Sequence, residues 1–181
     1  MSRSPTKRIL AELSAYNHSP PSRTQTGLVS LAASPSSLLS LSAILQCPSA
    51  SPPSLGYLGG RWLLSIALPP NYPMGAPTIK FVTRICHPNV KWETGEICLD
   101  VLGEKWTPVL GVVGALECVG ALVAGGGDET SPLNVEIAKL RGMGDVMGAR
   151  ALVGWWCGEE RFEGELELES EEGLKGEERR G

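Results

Sequence analysis

Two runs of alternating apolar residues, separated by a proline-rich connection, place the tightest limit on how this chain can fold. Residues 61–68 carry Trp, Leu, Ile and Leu at every second position, and residues 78–83 place Ile79 and Phe81 on one face in the same way. Successive side chains of a strand point to opposite faces, so each run predicts a strand with one buried face. Residues 69–77 hold too many prolines to continue either strand. The pattern predicts neighbouring antiparallel strands in a sheet that is covered on one side.

A weaker pair of strands is predicted upstream, in a stretch rich in Ser, Pro, Ala and Leu. Residues 28–32 and 38–45 fit short strands, with Ser34-Pro35 as the turn between them. Together with the two later runs, they predict a four-stranded antiparallel meander.

One helix is predicted before the sheet and three are predicted after it. The first begins at Ser4-Pro5, because serine caps helices and proline is favoured at the first helical position. Its apolar stripe consists of Ile9, Leu10, Leu13 and Tyr16. The later helices are predicted at 109–124, 133–141 and 145–156, where apolar residues recur at helical spacing. The apolar face of the last helix consists of Val146, Ala149, Val153 and Trp156. The predicted fold is therefore α+β, with an N-terminal helix, the meander and C-terminal helices.

The helix at 109–124 combines an apolar face with an unusual number of glycines. That face consists of Val109, Val112, Val113, Leu116, Val119 and Val123. Gly111, Gly114 and Gly120 lie within the helix, and an interior glycine costs about 0.5–1 kcal/mol relative to alanine. The sequence predicts a soft helix, with about 2–3 kcal/mol lost from a stability of typically about 5–15 kcal/mol.

Length and cysteine content favour one intracellular domain followed by a tail. The 181 residues suffice for one sizeable core, which we place at 1–162. The odd count of five cysteines, without a CxxC pair, favours neither a disulfide framework nor a structural metal site. No run of the sequence is apolar for long enough to cross a bilayer, so we expect no direct membrane insertion.

Charge is divided unevenly along the chain. Residues 158–181 contain ten glutamates against four basic residues, and this net charge of −6 within a total of −4 leaves +2 for residues 1–157. The low-complexity run 163–181 cannot bury enough apolar surface to fold, and it is predicted to be an acidic disordered tail. The remainder has no basic patch with interleaved aromatic residues, so nucleic acid is not expected as a partner.

The residues best suited to covalent chemistry follow the second alternating run. His87-Pro88-Asn89 is followed nine residues later by Cys98, and Gly95 permits a turn between them. A thiol is a strong nucleophile, and the amide of Asn89 can donate to an oxyanion that forms at the attacked carbonyl. Composition alone also fits a buried apolar role for Cys98, because it stands between two aliphatic residues.

A series of separated motifs favours the chemical role. In chain order the motifs are Tyr72-Pro73, His87-Pro88-Asn89, Gly95, Ile97-Cys98-Leu99-Asp100, Trp106-Thr107-Pro108 and Pro132-Leu133-Asn134. Their order and spacing resemble the signature of ubiquitin-conjugating enzymes, most clearly between residues 59 and 134. The resemblance implies that family's fold and a reaction in which Cys98 accepts ubiquitin as a thioester and passes it to lysine or cysteine of a substrate. It implies no cofactor for this chain, because ATP is used upstream by the ubiquitin-activating enzyme.

The resemblance also implies roles for three residues near the cysteine. Asn89 would donate to the oxyanion or brace the loop, and His87 would hold the loop in place. Ser131 occupies the position that helps to orient the attacking amine, although a serine is no base at neutral pH. A simple helix cap is an equally good reading of Ser131.

Four residues are implied to meet partner proteins. Lys7 and Arg8 lie on the face of the first helix that meets the ubiquitin-activating enzyme, and Met74 and Pro108 lie on the two loops that dock RING-type ubiquitin ligases. Structural readings stay open for all four. The lysine and arginine also fit a solvated helix face, the methionine a local plug, and the proline a helix start.

Two further stretches, 59–62 and 144–162, resemble the fungal peroxisomal branch of the family. That branch attaches ubiquitin to the peroxisomal import receptor so that the receptor is recycled. The resemblance implies a place in the cytoplasm or at the cytosolic face of the peroxisome, with recruitment by a membrane-anchored peroxisomal partner.

Two other functions remain open from the sequence. One is a catalytically weak or inactive module that keeps the fold for binding, which the glycine-rich helix favours. The other is a cysteine hydrolase with Cys98, His87 and Asn89 as its triad. A triad base must reach the sulfur while its orienting group reaches the base, which is difficult for residues only two apart with Pro88 between them.

Overall fold

Helices pack on one face of a four-stranded antiparallel sheet in the computed structural model, which describes residues 4–97 and 106–166. In chain order the elements are α1 (Pro5–His18), α2 (Arg23–Thr26), β1 (Leu28–Ser34), β2 (Ser37–Gln46), a 3₁₀ turn (Pro53–Leu55), β3 (Arg61–Ala67), β4 (Thr78–Phe81), α3 (Gly111–Gly125), α4 (Val135–Gly142) and α5 (Val146–Glu159). The strands lie in the order β1-β2-β3-β4. The predicted α+β fold, with its meander, N-terminal helix and C-terminal helices, is confirmed.

The register of the sheet places the alternating apolar residues on one face. Leu64 pairs with Ala43 on β2 and with Phe81 on β4, and the inward-facing Trp62, Leu64 and Ile66 are all but inaccessible to solvent. This face forms the main core together with the apolar sides of α1, α3 and α5. Both upstream strands form, and each extends beyond its predicted limits because backbone pairing continues into the Ser34-to-Ser37 turn.

The first helix begins as the sequence predicts, but one stripe residue is exposed. The Ser4 hydroxyl accepts the Lys7 N–H at 3.3 Å and caps α1. Ile9 is fully buried and Leu13 packs against the core, whereas Leu10 is about half exposed. The placement of Leu10 on the packed face was wrong, because one residue further along a helix rotates the side chain by about 100°.

The glycine-rich helix begins two residues later than predicted. The Leu110 N–H donates to the Thr107 carbonyl at 3.0 Å in a turn, and α3 starts at Gly111, which has a φ of 65°. Val109 therefore precedes the helix and is 91% exposed, so its assignment to the buried face was wrong. The buried face of α3 consists of Gly111, Val112, Ala115, Leu116, Val119, Gly120 and Val123.

Gly120 allows α3 to approach the end of α2 closely. A Cβ atom at this position would lie 2.1 Å from the Thr26 carbonyl oxygen, a distance that real Cβ atoms do not show. Gly120 thus lowers the helix propensity of α3 but permits a close contact between backbones. Propensity alone describes this helix incompletely.

We expect Gly120→Ala to destabilise the protein by about 1–3 kcal/mol, because the clash with backbone exceeds the gain in helix propensity of about 1 kcal/mol. Gly125→Ala is the matched control in the same helix, since nothing lies within 4 Å of its Cβ position. Urea unfolding of both variants provides the measurement. Equal stabilisation by the two substitutions would contradict the close approach.

The two C-terminal helices are capped by polar side chains, and the second of them, α5, lies against the 3₁₀ turn. Asn134 accepts from Ile137 N at the start of α4, and Asp145 accepts from Gly148 N at 2.8 Å at the start of α5. Ala149 and Val153 are buried, whereas Val146 is exposed, so its assignment to the packed side was wrong. It occupies the first helical position, where the chain has not yet reached the core.

The chain beyond α5 contacts the start of β3 at Arg61. Arg61 donates to the carbonyl oxygens of Phe162 and Gly164 at 2.7 and 2.8 Å and pairs with the Glu165 carboxylate at 2.9 Å. Most of the predicted acidic tail, from 167 onward, lies outside the described residues. Within the described part of the chain, no helix has the length and apolar character that crossing a membrane requires.

Candidate active site

The Asn89 side chain is braced on both sides by one backbone residue. Its Nδ2 donates to the Asp128 carbonyl at 2.8 Å, and its Oδ1 accepts the Asp128 N–H at 2.7 Å. The residue is 3% exposed. Two bonds to the backbone of the same residue fix the orientation of the amide, so in this structure Asn89 braces the loop against Asp128.

His87 is buried beneath the same loop and uses both ring nitrogens. Its Nε2 lies 3.3 Å from the Leu122 carbonyl oxygen, and its Nδ1 accepts the Asn89 N–H at 3.1 Å. The ring lies 5.6 Å from the Tyr57 ring, centroid to centroid. These contacts require the neutral imidazole with its proton on Nε2, and burial lowers the pKa of His87 to about 3.

We expect the His87 imidazole to stay neutral between pH 8 and pH 5, because protonation would place a donor at Nδ1 against the Asn89 N–H. The ¹⁵N chemical shifts of the histidine ring provide the measurement. A titration of His87 with a midpoint above pH 5 would show that the ring is hydrated, contrary to its burial.

The Pro88 carbonyl ties this segment to the Pro132-Leu133-Asn134 motif. It accepts the N–H groups of both Leu133 and Asn134, at 2.8 and 3.0 Å. Two motifs more than forty residues apart in sequence thus share one acceptor. Ser131, just before the second motif, is exposed, and because Asn134 caps α4, Ser131 is not the helix cap.

A tight turn brings the chain back toward Asn89 just before the cysteine. Within it, the Lys91 N–H donates to the Glu96 carbonyl at 2.8 Å, and Val90 forms an antiparallel bridge with Ile97. Gly95 at the turn has a φ of 68°, and any Cβ there would lie 1.8 Å from the Phe81 carbonyl oxygen. Ile97 is the last residue before Cys98, and Cys98 itself lies outside the described residues.

Gly127 completes the brace from the other side. Its φ is 84°, and a Cβ at this position would lie 2.3 Å from Asn89 Oδ1 and 2.5 Å from His87 Cε1. Only glycine fits a left-handed backbone pressed this closely against two buried side chains.

The arrangement does not fit a cysteine-histidine-asparagine triad. Both nitrogens of His87 face neighbouring backbone groups, and the Asn89 amide faces Asp128 and not the imidazole. No ring nitrogen is left to take a proton from a thiol. Among residues 4–97 and 106–166, no group of three or more histidine, cysteine, aspartate or glutamate side chains could hold a metal ion.

The residues predicted to meet partners differ in how they are held. Lys7 and Met74 are exposed, the latter at 74%. Arg8 is partly buried, pairs with Glu12 and donates through Nη2 to the Pro108 carbonyl at 2.8 Å. Arg8 therefore joins α1 to the loop before α3, in addition to lying on the helix surface.

Glu12 connects these elements further, and the sequence pattern did not point to it. Its carboxylate accepts the Tyr72 hydroxyl at 2.8 and 2.9 Å and the Val112 N–H at 2.8 Å. It also pairs with Arg8. One carboxylate thus fixes the start of α3 and the loop that carries Met74 relative to α1.

Comparison with known proteins identifies the family. The ubiquitin-conjugating enzyme family profile matches residues 8–144. The chain belongs to the ubiquitin-conjugating enzyme family. This confirms the predicted family and agrees with the observed fold.

The chain is similar to individual members of the ubiquitin-conjugating enzyme family. Ubiquitin-conjugating enzyme E2 PEX4 of Gibberella zeae is 48% identical over 113 residues, which cover 60% of this chain and 64% of that protein. Ubiquitin-conjugating enzyme E2 16 of Schizosaccharomyces pombe is 37% identical over 111 residues, 61% of this chain and 66% of its own length. The chain thus spans just under two thirds of both relatives.

A solved structure of a family member has the same fold. The H. polymorpha ubiquitin-conjugating enzyme Pex4p, in complex with the soluble domain of Pex22p, superposes with a TM-score of 0.77 at 31% identity. The match covers 86% of this chain and 97% of that one.

Several residues that shape the site escaped the sequence analysis. The roles of Asp128 and Leu122 are carried by backbone atoms, so residue type gave no signal for them. Gly127 could have been noticed as part of a Gly-Gly-Gly run. Glu12 was hidden because a glutamate at that position of a helix normally faces solvent.

Proposed function

We propose that the chain is an active ubiquitin-conjugating enzyme with Cys98 as the carrier of ubiquitin. The Cys98 thiolate attacks the carbonyl of the thioester between ubiquitin and the activating enzyme. The tetrahedral oxyanion then collapses, expels the thiolate of the activating enzyme and leaves ubiquitin on Cys98. A lysine amine or a cysteine thiol of the substrate attacks this new thioester in turn, loses its proton and expels the Cys98 thiolate, so that ubiquitin is transferred to the substrate. The exchange of one thioester for another is nearly balanced in energy, so positioning matters more than activation in that step.

The shared Pro88 carbonyl is the observation that carries this proposal. It fixes the Leu133–Asn134 backbone against the His87-Pro88-Asn89 segment, while the Val90–Ile97 bridge pairs the residue after Asn89 with the residue before Cys98. This hydrogen-bonded frame therefore extends to Ile97, the last described residue before Cys98. Asn89 braces this frame or donates to the oxyanion, and Ser131 hydrogen-bonds the incoming amine.

The partners follow from the family and from the exposed apolar residues. We propose that Lys7 and Arg8 meet the ubiquitin-activating enzyme, and that Met74, Pro108 and the exposed Val109 meet a RING-type ubiquitin ligase. ATP is then used by the activating enzyme, and this chain needs no cofactor.

We further propose that the chain belongs to the peroxisomal branch. The similarity to the Gibberella zeae PEX4 protein and to Pex4p supports this branch, and the Pex4p structure contains a Pex22p domain. The chain would then act at the cytosolic face of the peroxisome, held by an anchored partner, on the import receptor. A tagged protein that spreads evenly through cytosol and nucleus would count against this assignment.

A thioester assay with activating enzyme, ubiquitin and ATP tests the activity. We expect a reductant-sensitive ubiquitin adduct on the wild type, a reductant-resistant oxyester on Cys98→Ser and no adduct on Cys98→Ala. Cys118→Ser is the matched control, because Cys118 is the one cysteine among the described residues that is not fully buried. An adduct on Cys98→Ala would refute the mechanism. No adduct on folded wild-type protein would favour the binding-module alternative.

A further inference from the structure

A groove of about 480 Å³ runs beside the candidate active site. It lies between the segment that follows β4, the start of α4 and one side of α5. Asn134 lines this groove and also donates its N–H to the Pro88 carbonyl. Glu93, another lining residue, belongs to the turn that ends at Ile97. The groove and the active-site frame therefore share part of their walls.

Several apolar side chains of the groove are open to solvent. Leu133 and Val135 line it and are 40% and 51% exposed. Trp92 and Trp156 meet edge to face in its wall, with ring centroids 4.5 Å apart. Contiguous exposed apolar surface with aromatic residues is typical of surfaces that bind other molecules.

The charges at the groove are mainly negative. Glu93 and Glu136 line it and are exposed. Its one arginine, Arg84, lies over the Trp92 ring at 5.7 Å and 3.8 Å from the Glu160 carboxylate, so it also has an acidic neighbour within the protein. An apolar groove with two exposed carboxylates complements a ligand that carries both an apolar side chain and positive charge.

We propose that this groove binds the polypeptide that accepts ubiquitin, through a short segment with an apolar side chain and one or more basic side chains near the acceptor lysine. This inference rests on the proposed function, and it adds a substrate preference that belongs to the conjugating enzyme itself. The apolar side chain packs against Leu133 and the Trp92–Trp156 pair, and the basic groups lie near Glu93 and Glu136.

The chain's own C-terminal run is a poor occupant for this groove. Residues 158–181 carry ten glutamates against four basic residues, so their charge has the same sign as the two carboxylates. A ligand from another molecule suits the surface better.

Discharge of ubiquitin from the preformed thioester on the full chain tests the proposal. Two synthetic peptides of equal length carry a single acceptor lysine next to a leucine. One has arginines on either side, and the other has glutamates at those positions. We expect the arginine peptide to accept ubiquitin about tenfold faster at low ionic strength, and we expect salt to reduce the difference.

Charge reversal at the groove isolates the contribution of the two carboxylates. Glu93→Lys and Glu136→Lys should each remove most of the preference for the arginine peptide, while thioester formation and discharge to free lysine stay unchanged. Glu117→Lys on α3 changes the net charge by the same amount outside the groove lining and should keep the preference.

The outcomes separate this inference from the proposed function. Normal thioester formation with equal rates for the two peptides, or equal losses in the Glu117→Lys control, would overturn the groove proposal alone. Fluorescence anisotropy of labelled copies of the peptides measures their binding to the protein without ubiquitin, so this measurement does not depend on the thioester. If the two peptides bound equally well in this measurement, or if neither bound, the groove proposal would be overturned even if no thioester formed on the wild type.

Discussion

Glu12→Ala is expected to lower the free energy of unfolding by about 3–5 kcal/mol. The Glu12 side chain is 14% exposed, and its carboxylate accepts from the Tyr72 hydroxyl and the Val112 N–H and pairs with Arg8. Substitution by alanine removes the carboxylate, so the Tyr72 hydroxyl, the Val112 N–H and the Arg8 guanidinium all lose this partner. Removing one member of a buried pair costs more than the pair itself contributes, because the remaining groups stay desolvated.

Urea unfolding provides the measurement, and Tyr72→Phe is the graded control. That substitution deletes a single donor and keeps the aromatic ring, so it should cost only about 0.5–1.5 kcal/mol. A loss of under about 1 kcal/mol in Glu12→Ala would show that the carboxylate is hydrated in solution. At temperatures where the variant stays folded, we also expect weaker binding to a RING-type ligase, since Glu12 positions both loops that carry the exposed Met74 and Val109.

Gly127→Ala is expected to cost about 2–4 kcal/mol of stability and at least about tenfold in the rate of thioester formation. The new methyl group would meet Asn89 Oδ1 at 2.3 Å and His87 Cε1 at 2.5 Å. Both side chains are buried and fixed by hydrogen bonds, so the clash must displace the loop that leads to Cys98.

Gly144→Ala is the matched control for backbone strain. Gly144 has a φ of 77°, close to the 84° of Gly127, but nothing lies within 4 Å of its Cβ position. This control should therefore lose only about 1–2 kcal/mol, the cost of a left-handed alanine, and keep its activity. Urea unfolding and a single-turnover thioester assay of both variants measure the difference. Equal effects of the two substitutions would show that the contact with His87 and Asn89 is not important.

The exposed Val109 illustrates how local sequence can mislead. Its spacing from Val112 and Val113 fits a helical stripe, but Pro108 and the turn ending at Leu110 place it ahead of α3. The error has a functional consequence, because an apolar side chain assigned to the core lies on the surface that we propose for the ligase.

The sequence by itself determined the sheet, the order of the longer elements and the family, but it did not predict the four-residue helix α2. Period-two alternation specifies which face of a strand is buried, and the separated motifs carry the resemblance to the family. These patterns involve residues close together in sequence, so they can be recognised without knowledge of tertiary contacts. The helix caps at Ser4, Asn134 and Asp145 also bond groups close in sequence, although only the cap at Ser4 was predicted.

Only the tertiary structure decided which distant groups each motif contacts. The Pro88 carbonyl binds backbone more than forty residues away, Asn89 binds the Asp128 backbone, and Gly120 makes room for the Thr26 carbonyl. Backbone groups are the same at every position, so no residue type announces such a contact. Glu12 likewise became a structural centre only when Tyr72 and Val112, both distant in sequence, joined Arg8 at its carboxylate. The physical reason is that hydrogen-bond partners across the chain are chosen by packing, which a one-dimensional pattern does not contain.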